Sequence, residues 1–301
     1  MSENPYLSGN FAPVDGERTD YDLNVTGALP RELQGSLLRI GPNPVNPDPA
    51  THHWFLGNGM VHGVQLEDGQ AKSYRRRFVR DDEVTEHFGW PPVEGPKPEF
   101  ELGAGVANTH IVPHAGRLFA LVEAGNLPVE LDANLETIGR CNFDGTLPAG
   151  FSAHPHRDPD TGELHVAVYS PTWNHVQYLV VGTDARVRKA LDVAVPGHPM
   201  IHDCALTQNY FIILDLPVIL PVEEFDLAGP PNGFPYRWRP DYGARVGLLP
   251  REGNASEVKW AEVDPCFVFH AMNAYEDAEG RVVMDVVRHP AMFDEDVRGP
   301  N

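Results

Sequence analysis

Cysteine is scarce in this chain of 301 residues. Its three cysteines, Cys141, Cys204 and Cys266, are odd in number and widely spaced, and no C-x-x-C pair occurs. This pattern argues against a framework of paired disulfides and against a thiolate zinc site. The sequence therefore predicts a protein of a reducing compartment, and we expect it in the cytoplasm.

Long hydrophobic runs and a secretory leader are also missing. The first residues, MSENPYLSGNFAPV, have no charged start followed by an apolar core. No apolar run reaches the roughly 18 residues that cross a bilayer. The nearest candidate is Phe211–Pro221 (FIILDLPVILP), which contains an aspartate and two prolines. We predict a buried strand there. In a second interpretation, the loop around Val218–Leu220 offers an apolar patch for peripheral membrane contact.

Basic residues are too few to balance the acidic ones. Lys and Arg total 23 against 43 Asp and Glu, which gives a formal net charge of −20. Such a surface repels phosphate backbones, which argues against nucleic acid as a partner.

Helical signatures are rare, whereas turn residues are abundant, with 28 glycines and 29 prolines. Short runs rich in β-branched and aromatic residues lie between them and predict strands. These runs are Ser36–Ile40, Met60–Leu66, Arg117–Val122, Leu164–Tyr169, His175–Val181, Tyr210–Leu214, Cys266–Phe269 and Arg281–Val287. Many short strands predict an all-β sandwich, barrel or propeller. The absence of a clear linker favours a single propeller domain over residues 1–301, with about four to five blades.

Three of the 14 histidines stand out because each lies where an apolar run meets a loop. They are His154, His202 and His270, separated by 48 and 68 residues, which suits one ligand from each of several blades. Neutral imidazole suits iron, zinc, copper or nickel. Glu123 follows an apolar run and is a candidate acceptor for the second ring nitrogen of such a ligand. On spacing alone, each of these four residues is more often an ordinary hydrogen-bonded residue than part of a metal site. Six other histidines are predicted to lie at the surface: His52, His53, His87, His114, His175 and His289.

The residues around these positions resemble the carotenoid cleavage oxygenase family, whose members include retinal pigment epithelial membrane protein. Nine blocks, in the family's order, carry the resemblance over nearly the whole chain. The blocks are Arg39–Pro44, His53–His62, Tyr74–Arg80, Ala107–Thr109, Glu123–Gly125, Ala153–Pro155 with Asp158–Glu163, Met200–Asp203, Phe234–Trp238 and Phe269–His270. The chain departs from the family at three positions. Leu56 and Asn58 stand where the family usually has acidic residues, and His156 stands where the family commonly has Lys or Arg.

The resemblance implies a seven-bladed β-propeller, incomplete in these 301 residues, with a non-haem Fe(II) held by four histidines. His154, His202 and His270 match the first three iron ligands, and Glu123 matches a carboxylate behind them. The fourth ligand is expected beyond residue 301. On this interpretation the chain is an N-terminal fragment, inactive alone, of an active oxygenase.

The activity that the resemblance implies is the cleavage of a conjugated C=C bond with O2 to give two carbonyl products. The substrate is a carotenoid or apocarotenoid, or in a second interpretation a stilbene. Phe55 matches a position that lines the family's cavity. Val122 stands where relatives that cleave phenolic stilbenes tend to carry a Lys, which favours a polyene substrate.

Other interpretations remain open at this point. A propeller lactonase would use carboxylate-rich, calcium-type ligands, which the three histidines disfavour. A family member that isomerises the polyene would not consume O2. A truncated propeller that acts only as a binding module is the non-enzymatic alternative.

Overall fold

The structure is a computed structural model that describes residues 4–97, 106–222, 234–294 and 298–299. Within these residues the chain forms two compact units. The first unit comprises Met1–Ala50, Phe55–Val122 and Asn126–Asn142, and the second comprises Thr51–Trp54, Glu123–Gly125 and Phe143–Asn301. The prediction of a single domain over residues 1–301 stays a prediction.

The first unit contains two four-stranded antiparallel sheets. The first sheet has the order β1-β4-β3-β2 and the second the order β5-β6-β7-β8. The strands are β1 (Arg18–Tyr21), β2 (Gly35–Pro42), β3 (Gly59–Glu67), β4 (Gln70–Phe78), β5 (His110–His114), β6 (Arg117–Leu121), β7 (Val129–Leu131) and β8 (Thr137–Arg140). Two-residue turns join β3 to β4 and β5 to β6, whereas a longer segment connects β2 to β3. The core between these strands includes Val61, Ala120 and Val129, all fully buried.

The second unit contains two more four-stranded antiparallel sheets and two short strand pairs. The sheets have the orders β12-β11-β10-β9 and β13-β14-β17-β18, while β15 pairs with β16 and β19 with β20. The strands of the first sheet are β9 (His156–Arg157), β10 (Leu164–Val168), β11 (His175–Val181) and β12 (Val187–Ala194). The remaining strands are β13 (Cys204–Leu206), β14 (Tyr210–Asp215), β15 (Val218–Ile219), β16 (Arg237–Trp238), β17 (Arg245–Pro250), β18 (Lys259–Glu262), β19 (Ala271–Glu276) and β20 (Val282–Val286).

The all-β prediction is confirmed, and so are seven of the eight predicted strands. The four-stranded antiparallel sheets are the units from which propeller blades are built. Four such sheets and the β19–β20 pair agree with the predicted four to five blades.

The strand predicted over Cys266–Phe269 is wrong. Only one isolated bridge forms there, between Phe267 and His289, although residues 266–268 are buried. Phe267 and Phe269 instead pack edge to face at 4.9 Å between ring centroids. The apolar residues of this run are apolar because they are buried. Aromatic packing buries them here, and they do not form a hydrogen-bonded ladder.

One α-helix, α1 (Asp82–Phe88), was not anticipated from the sequence. Asp81 caps its N-terminus by accepting a hydrogen bond from the backbone of Val84, and Gly89 ends it in a left-handed conformation with φ 65°. Both signals are typical helix boundaries, but only seven residues separate them, too few for a clear helical period. Within the described residues, short 3-10 turns occur at Pro5–Leu7, Gly9–Phe11, Pro240–Tyr242 and Ala255–Glu257.

The apolar run after residue 210 is buried, as predicted. It forms β14 and then β15, and Val218 and Leu220 are 0% and 3% exposed. This burial removes Val218–Leu220 as an apolar surface patch, so that interpretation is wrong for this segment. No described helix is both long enough and apolar enough to traverse a bilayer.

Candidate metal centre

The three histidines singled out in the sequence each lie immediately before a strand of the second unit. His154 precedes β9 by two residues, His202 precedes β13 by two, and His270 precedes β19 by one. His270 was expected to end a strand, and the structure places it at the start of one instead. Each imidazole thus belongs to a residue just before the start of a strand, which we call a strand entrance, and not to a residue inside a hydrogen-bonded ladder.

Backbone hydrogen bonds hold the loop that carries His202. The amide of Met200 donates to the carbonyl of Val218 at 2.8 Å, and the amide of Leu220 donates to the carbonyl of His198 at 2.9 Å. The loop is therefore anchored on β15 just before it reaches His202. The apolar character of Met200 and Val218, both buried, explains why this anchor lies in the interior.

The structure brings the three rings together. Their centroids are 4.5 Å apart for His154 and His202, 4.8 Å for His154 and His270, and 4.9 Å for His202 and His270. One ring nitrogen of each histidine lies within 4.8 Å of those of the other two. His202 is buried, His154 is partly buried and His270 is exposed, so the cluster has one open side.

Two of these nitrogens have a separation that suits a shared ion. Nε2 of His202 lies 3.1 Å from Nε2 of His270. Nitrogen–metal bonds of about 2.1 Å that meet at a right angle place two ligand atoms about 3 Å apart. The same distance also suits a hydrogen bond between the rings, so the chemistry of the donor set has to support the metal.

Glu123 provides that chemistry. Its Oε1 lies 2.8 Å from Nδ1 of His202 and 3.9 Å from Nε2 of His154. A carboxylate can only accept, so this contact favours a proton on Nδ1 of His202 and leaves Nε2 as the atom with which the neutral ring would bind a metal. Tyr169, one residue after β10, donates from its hydroxyl to Oε2 of Glu123 at 2.6 Å. Both carboxylate oxygens are thereby engaged.

The pKa values follow from burial and from this pairing. Burial alone would raise the pKa of Glu123, but His202 and His154 lower it below its usual value. Burial would lower the pKa of His202, but Glu123 raises it. For His154 burial dominates, reinforced by His202, and lowers its pKa to about 3. His154 is therefore neutral at physiological pH, the form that binds a metal.

The turn that carries Glu123 has an unusual backbone. Ala124 and Gly125 both have positive φ, 62° and 80°. Gly150 packs directly against this turn, since a Cβ on it would lie 1.7 Å from the carbonyl oxygen of Gly125. A residue without a side chain is required at this contact, which brings the two backbones together and holds the turn below Glu123.

A second group lies beside the three histidines. His156, Asp203 and Cys204 have ligand atoms within 4.8 Å of one another. Nε2 of His156 lies 2.8 Å from Oδ1 of the buried Asp203. Asp203 was not singled out from the sequence, although the His202-Asp203 dipeptide placed it beside a candidate ligand. Tyr169 was missed because its strand-end position alone carries no functional signal.

The two predicted substrate-lining residues belong to the first unit. Phe55 and Val122 are both partly buried, and the carbonyl of Phe55 accepts a hydrogen bond from Asn108 at 3.2 Å. The three histidines and Glu123 belong to the second unit. The lining role of Phe55 and Val122 therefore stays a prediction.

Three histidines predicted to be at the surface are instead buried: His52, His53 and His114. The imidazole of His53 stacks on Phe234, with centroids 4.5 Å apart, and is completely inaccessible. Neighbouring turn residues suggested exposure, but flat aromatic packing accounts for this burial.

The blade-like antiparallel sheets belong to the β-propeller class, and the histidine-rich group is one that could hold a metal ion. The chain belongs to the retinal pigment epithelial membrane protein family, whose model matches residues 11–300. It is 44% identical to the carotenoid cleavage oxygenase of Mycobacterium tuberculosis, over 99% of this chain and 68% of that protein.

Solved structures of similar proteins also superpose on this chain. The lignostilbene dioxygenase of Pseudomonas brassicacearum superposes with a TM-score of 0.81 at 30% identity, covering 94% of this chain and 61% of that one. Cobalt-substituted apocarotenoid oxygenase of Synechocystis superposes with a TM-score of 0.77 at 26% identity, covering 96% and 64%. The chain thus spans roughly two thirds of these relatives.

Proposed function

We propose that this chain forms part of a non-haem Fe(II) oxygenase that cleaves a conjugated double bond of a carotenoid or apocarotenoid with O2. The products are two carbonyl compounds. The observation that carries the proposal is the convergence of His154, His202 and His270, with ring nitrogens within 4.8 Å of one another and Glu123 behind His202.

The donor set fits a divalent redox metal. The three described ligand candidates are all imidazoles, which suit iron, and this group of three contains no cysteine. Neutral nitrogen ligands leave the positive charge of the ion intact. Bound Fe(II) supplies the redox chemistry with which O2 splits an alkene. The propeller lactonase interpretation, which needs carboxylate-rich calcium ligands, has no comparable support here.

The chain's own residues orient and shield this centre. Oε1 of Glu123 lies 2.8 Å from Nδ1 of His202 and so favours the ring form in which Nε2 is left to bind the metal. Tyr169 donates to the other carboxylate oxygen and prevents the carboxylate from rotating away. No side chain has to act as nucleophile or general acid, because the cofactor carries the bond cleavage.

A polyene is proposed as substrate over a stilbene because Val122 offers no charge to a phenol. The name of the Mycobacterium relative, at 44% identity, points the same way. Stilbene cleavage is the second candidate, since a lignostilbene dioxygenase is the solved relative with a TM-score of 0.81. Location in the cytoplasm and peripheral membrane contact remain predictions.

Metal binding is the first test, because the chain covers only part of its relatives. Anaerobic titration of the 301-residue protein with Fe(II), or with Co(II) as a stable substitute, should show one site. His202→Ala should abolish it, whereas His175→Ala should not, because His175 lies on β11 and stacks on Trp173. A stoichiometry of zero, or equal binding by both variants, would refute the metal centre.

The reaction is tested on the Fe(II)-loaded protein with an apocarotenoid and with a hydroxystilbene. Chromatography of the aldehyde products and an oxygen electrode are the readouts. We expect any cleavage to consume one O2 per alkene and to depend on His202. Product formed without O2 consumption would favour an isomerase.

A further inference from the structure

Asp203 makes three hydrogen bonds that lead to three different strands. Its Oδ1 lies 2.8 Å from Nε2 of His156 and accepts from the backbone amide of Cys204 at 2.7 Å. Its Oδ2 accepts from the backbone amide of Ala271 at 3.2 Å. A carboxylate has lone pairs for all three donors, and Nε2 of His156 must carry the proton in this contact.

Each partner of Asp203 is the first residue of a strand. His156 begins β9, Cys204 begins β13 and Ala271 begins β19. These are the strands that the three candidate ligands directly precede. One carboxylate therefore contacts the segments of His154, His202 and His270, at residues that follow these histidines by two, two and one positions.

The environment makes these bonds strong. The side chain of Asp203 is only 3% exposed, and that of His156 is 33% exposed. A buried carboxylate that lacks donors is costly, so the donors and the carboxylate hold each other in place. Hydrogen bonds to a charged acceptor are also about twice as strong as neutral ones.

We propose that Asp203 is a positioning residue that ties the three histidine-bearing strand entrances together, with His156 as its side-chain partner. It does not contribute a ligand. Its role is to keep His270, the exposed member of the three, beside His202, because Ala271 follows His270 directly. The consequence for metal affinity rests on the proposed metal centre, whereas the connection itself does not.

Four variants test this role. Asp203→Asn has a single carbonyl oxygen and cannot accept from all three donors. His156→Leu removes the side-chain partner, and His156→Lys restores a donor. Asp192→Asn is the matched control, because Asp192 forms a more exposed His–Asp pair in the same unit, 3.7 Å from His175.

The first measurement is hydrogen exchange of the Ala271 amide in metal-free protein. Loss of a bond to a charged acceptor predicts exchange about tenfold or more faster in D203N. H156L should also exchange faster, while H156K and D192N should match the wild type. If D203N does not fold, the H156L and H156K pair decides. Unchanged exchange in H156L, or equal changes in H156L and H156K, overturns the proposal.

The second measurement is Co(II) affinity, with the visible d–d absorption as a reporter of coordination. We expect the dissociation constant to rise about tenfold or more in H156L and D203N, as for other outer partners of ligands, with recovery in H156K. Equal weakening in D192N would overturn the role in metal positioning. If the wild type binds no Co(II), the proposed metal centre fails, and exchange at Ala271 alone still decides whether Asp203 ties the strands together.

Discussion

Individual side chains in the second unit have their ionisation set by burial and by one or two partners. Glu123 is kept charged by His202, and His154 is kept neutral by its surroundings. Perturbed groups of this kind concentrate at functional sites because ligands must be presented in one protonation state. The residue scale is therefore where the proposed metal centre is most directly tested.

Replacing Glu123 by Gln should weaken metal binding. Gln can accept the His202 proton but removes the negative charge that makes this ring a better donor. We expect the dissociation constant for Co(II), measured by calorimetry, to rise by roughly 10- to 100-fold. Glu130→Gln is the control, because Glu130 pairs with Arg117 in the first unit. Equal affinities in the two variants would show that Glu123 does not support a ligand.

A second histidine offers a test of stability against pH. Nδ1 of the buried His165 lies 2.7 Å from the hydroxyl of Tyr178, and its Nε2 lies 3.3 Å from the Arg251 guanidinium. Oδ2 of Asp158 lies 4.0 Å from Nε2 of His165, and Asp158 also forms an ion pair with Arg251. A guanidinium can only donate, so Nε2 of His165 must accept and the ring is held neutral.

Burial, followed by the charge of Arg251, lowers the pKa of His165 to about 4. Asp158 opposes this shift, and Lys189 and His156 add to it. Because the unfolded chain takes up this proton near pH 6.5 and the folded chain does not, His165 costs stability as pH falls from about 6.5 to about 4. The total cost is roughly 3 kcal/mol.

Urea unfolding between pH 7 and 4 measures this effect. His165→Gln should lose less free energy of unfolding over this range than the wild type, although it is less stable at pH 7. Identical slopes for the two proteins would show that the ring is already able to accept a proton in the folded state.

At the scale of elements, the site depends on where strands begin and on how tightly turns approach one another. The three histidines precede β9, β13 and β19, and Glu123 lies in a turn with two positive φ values. None of these positions lies inside a ladder. The sheets therefore serve as rigid supports, and the short segments at their ends carry the chemistry.

Gly150→Ala should disturb the turn at residues 123–125. The added methyl group would occupy the place of the Gly125 carbonyl, and backbone cannot move aside as a flexible side chain can. We expect a loss of about 1–3 kcal/mol in free energy of unfolding together with weaker Co(II) binding.

Gly41→Ala serves as the comparison, because nothing lies within 4 Å of its Cβ position. Chemical denaturation and calorimetry of both variants decide the matter. A Gly150→Ala protein as stable as Gly41→Ala, with unaltered metal affinity, would contradict the proposed contact.

Over the whole molecule the dominant electrostatic feature is the net charge of −20. Self-repulsion at this charge destabilises the folded state, and salt screens it. The same salt also weakens individual ion pairs, but exposed pairs contribute about 0–1 kcal/mol each. We therefore expect the melting temperature to rise by a few °C, on the order of 2–5 °C, between 10 and 300 mM NaCl.

Scanning calorimetry at these salt concentrations tests whether the melting temperature rises. An uncharged solute at equal osmolality serves as the control. A melting temperature that falls with NaCl would mean that local ion pairs outweigh the global repulsion. The same charge predicts that the protein does not bind a polyanion such as RNA at physiological salt.

Much of the fold was predictable because local patterns report local geometry. Apolar runs located most strands, such as Met60–Leu66 in β3 and Tyr210–Leu214 in β14. The exceptions have a common cause. Cys266–Phe269 is apolar because aromatic rings cover it, and α1 is too short for a period to emerge. Burial and hydrogen bonding are separate properties that one hydrophobic pattern cannot distinguish.

The amino-acid sequence by itself determined the all-β class, the acidic surface and the identity of the three histidines with Glu123. Only the tertiary structure decided that these histidines converge, that His202 and not His154 is the closer partner of Glu123, and that Asp203 connects three strand entrances. The physical reason is that these contacts join residues far apart in the sequence, up to the 116 positions between His154 and His270. Their distances depend on how the sheets of the second unit pack, which local periodicity does not encode.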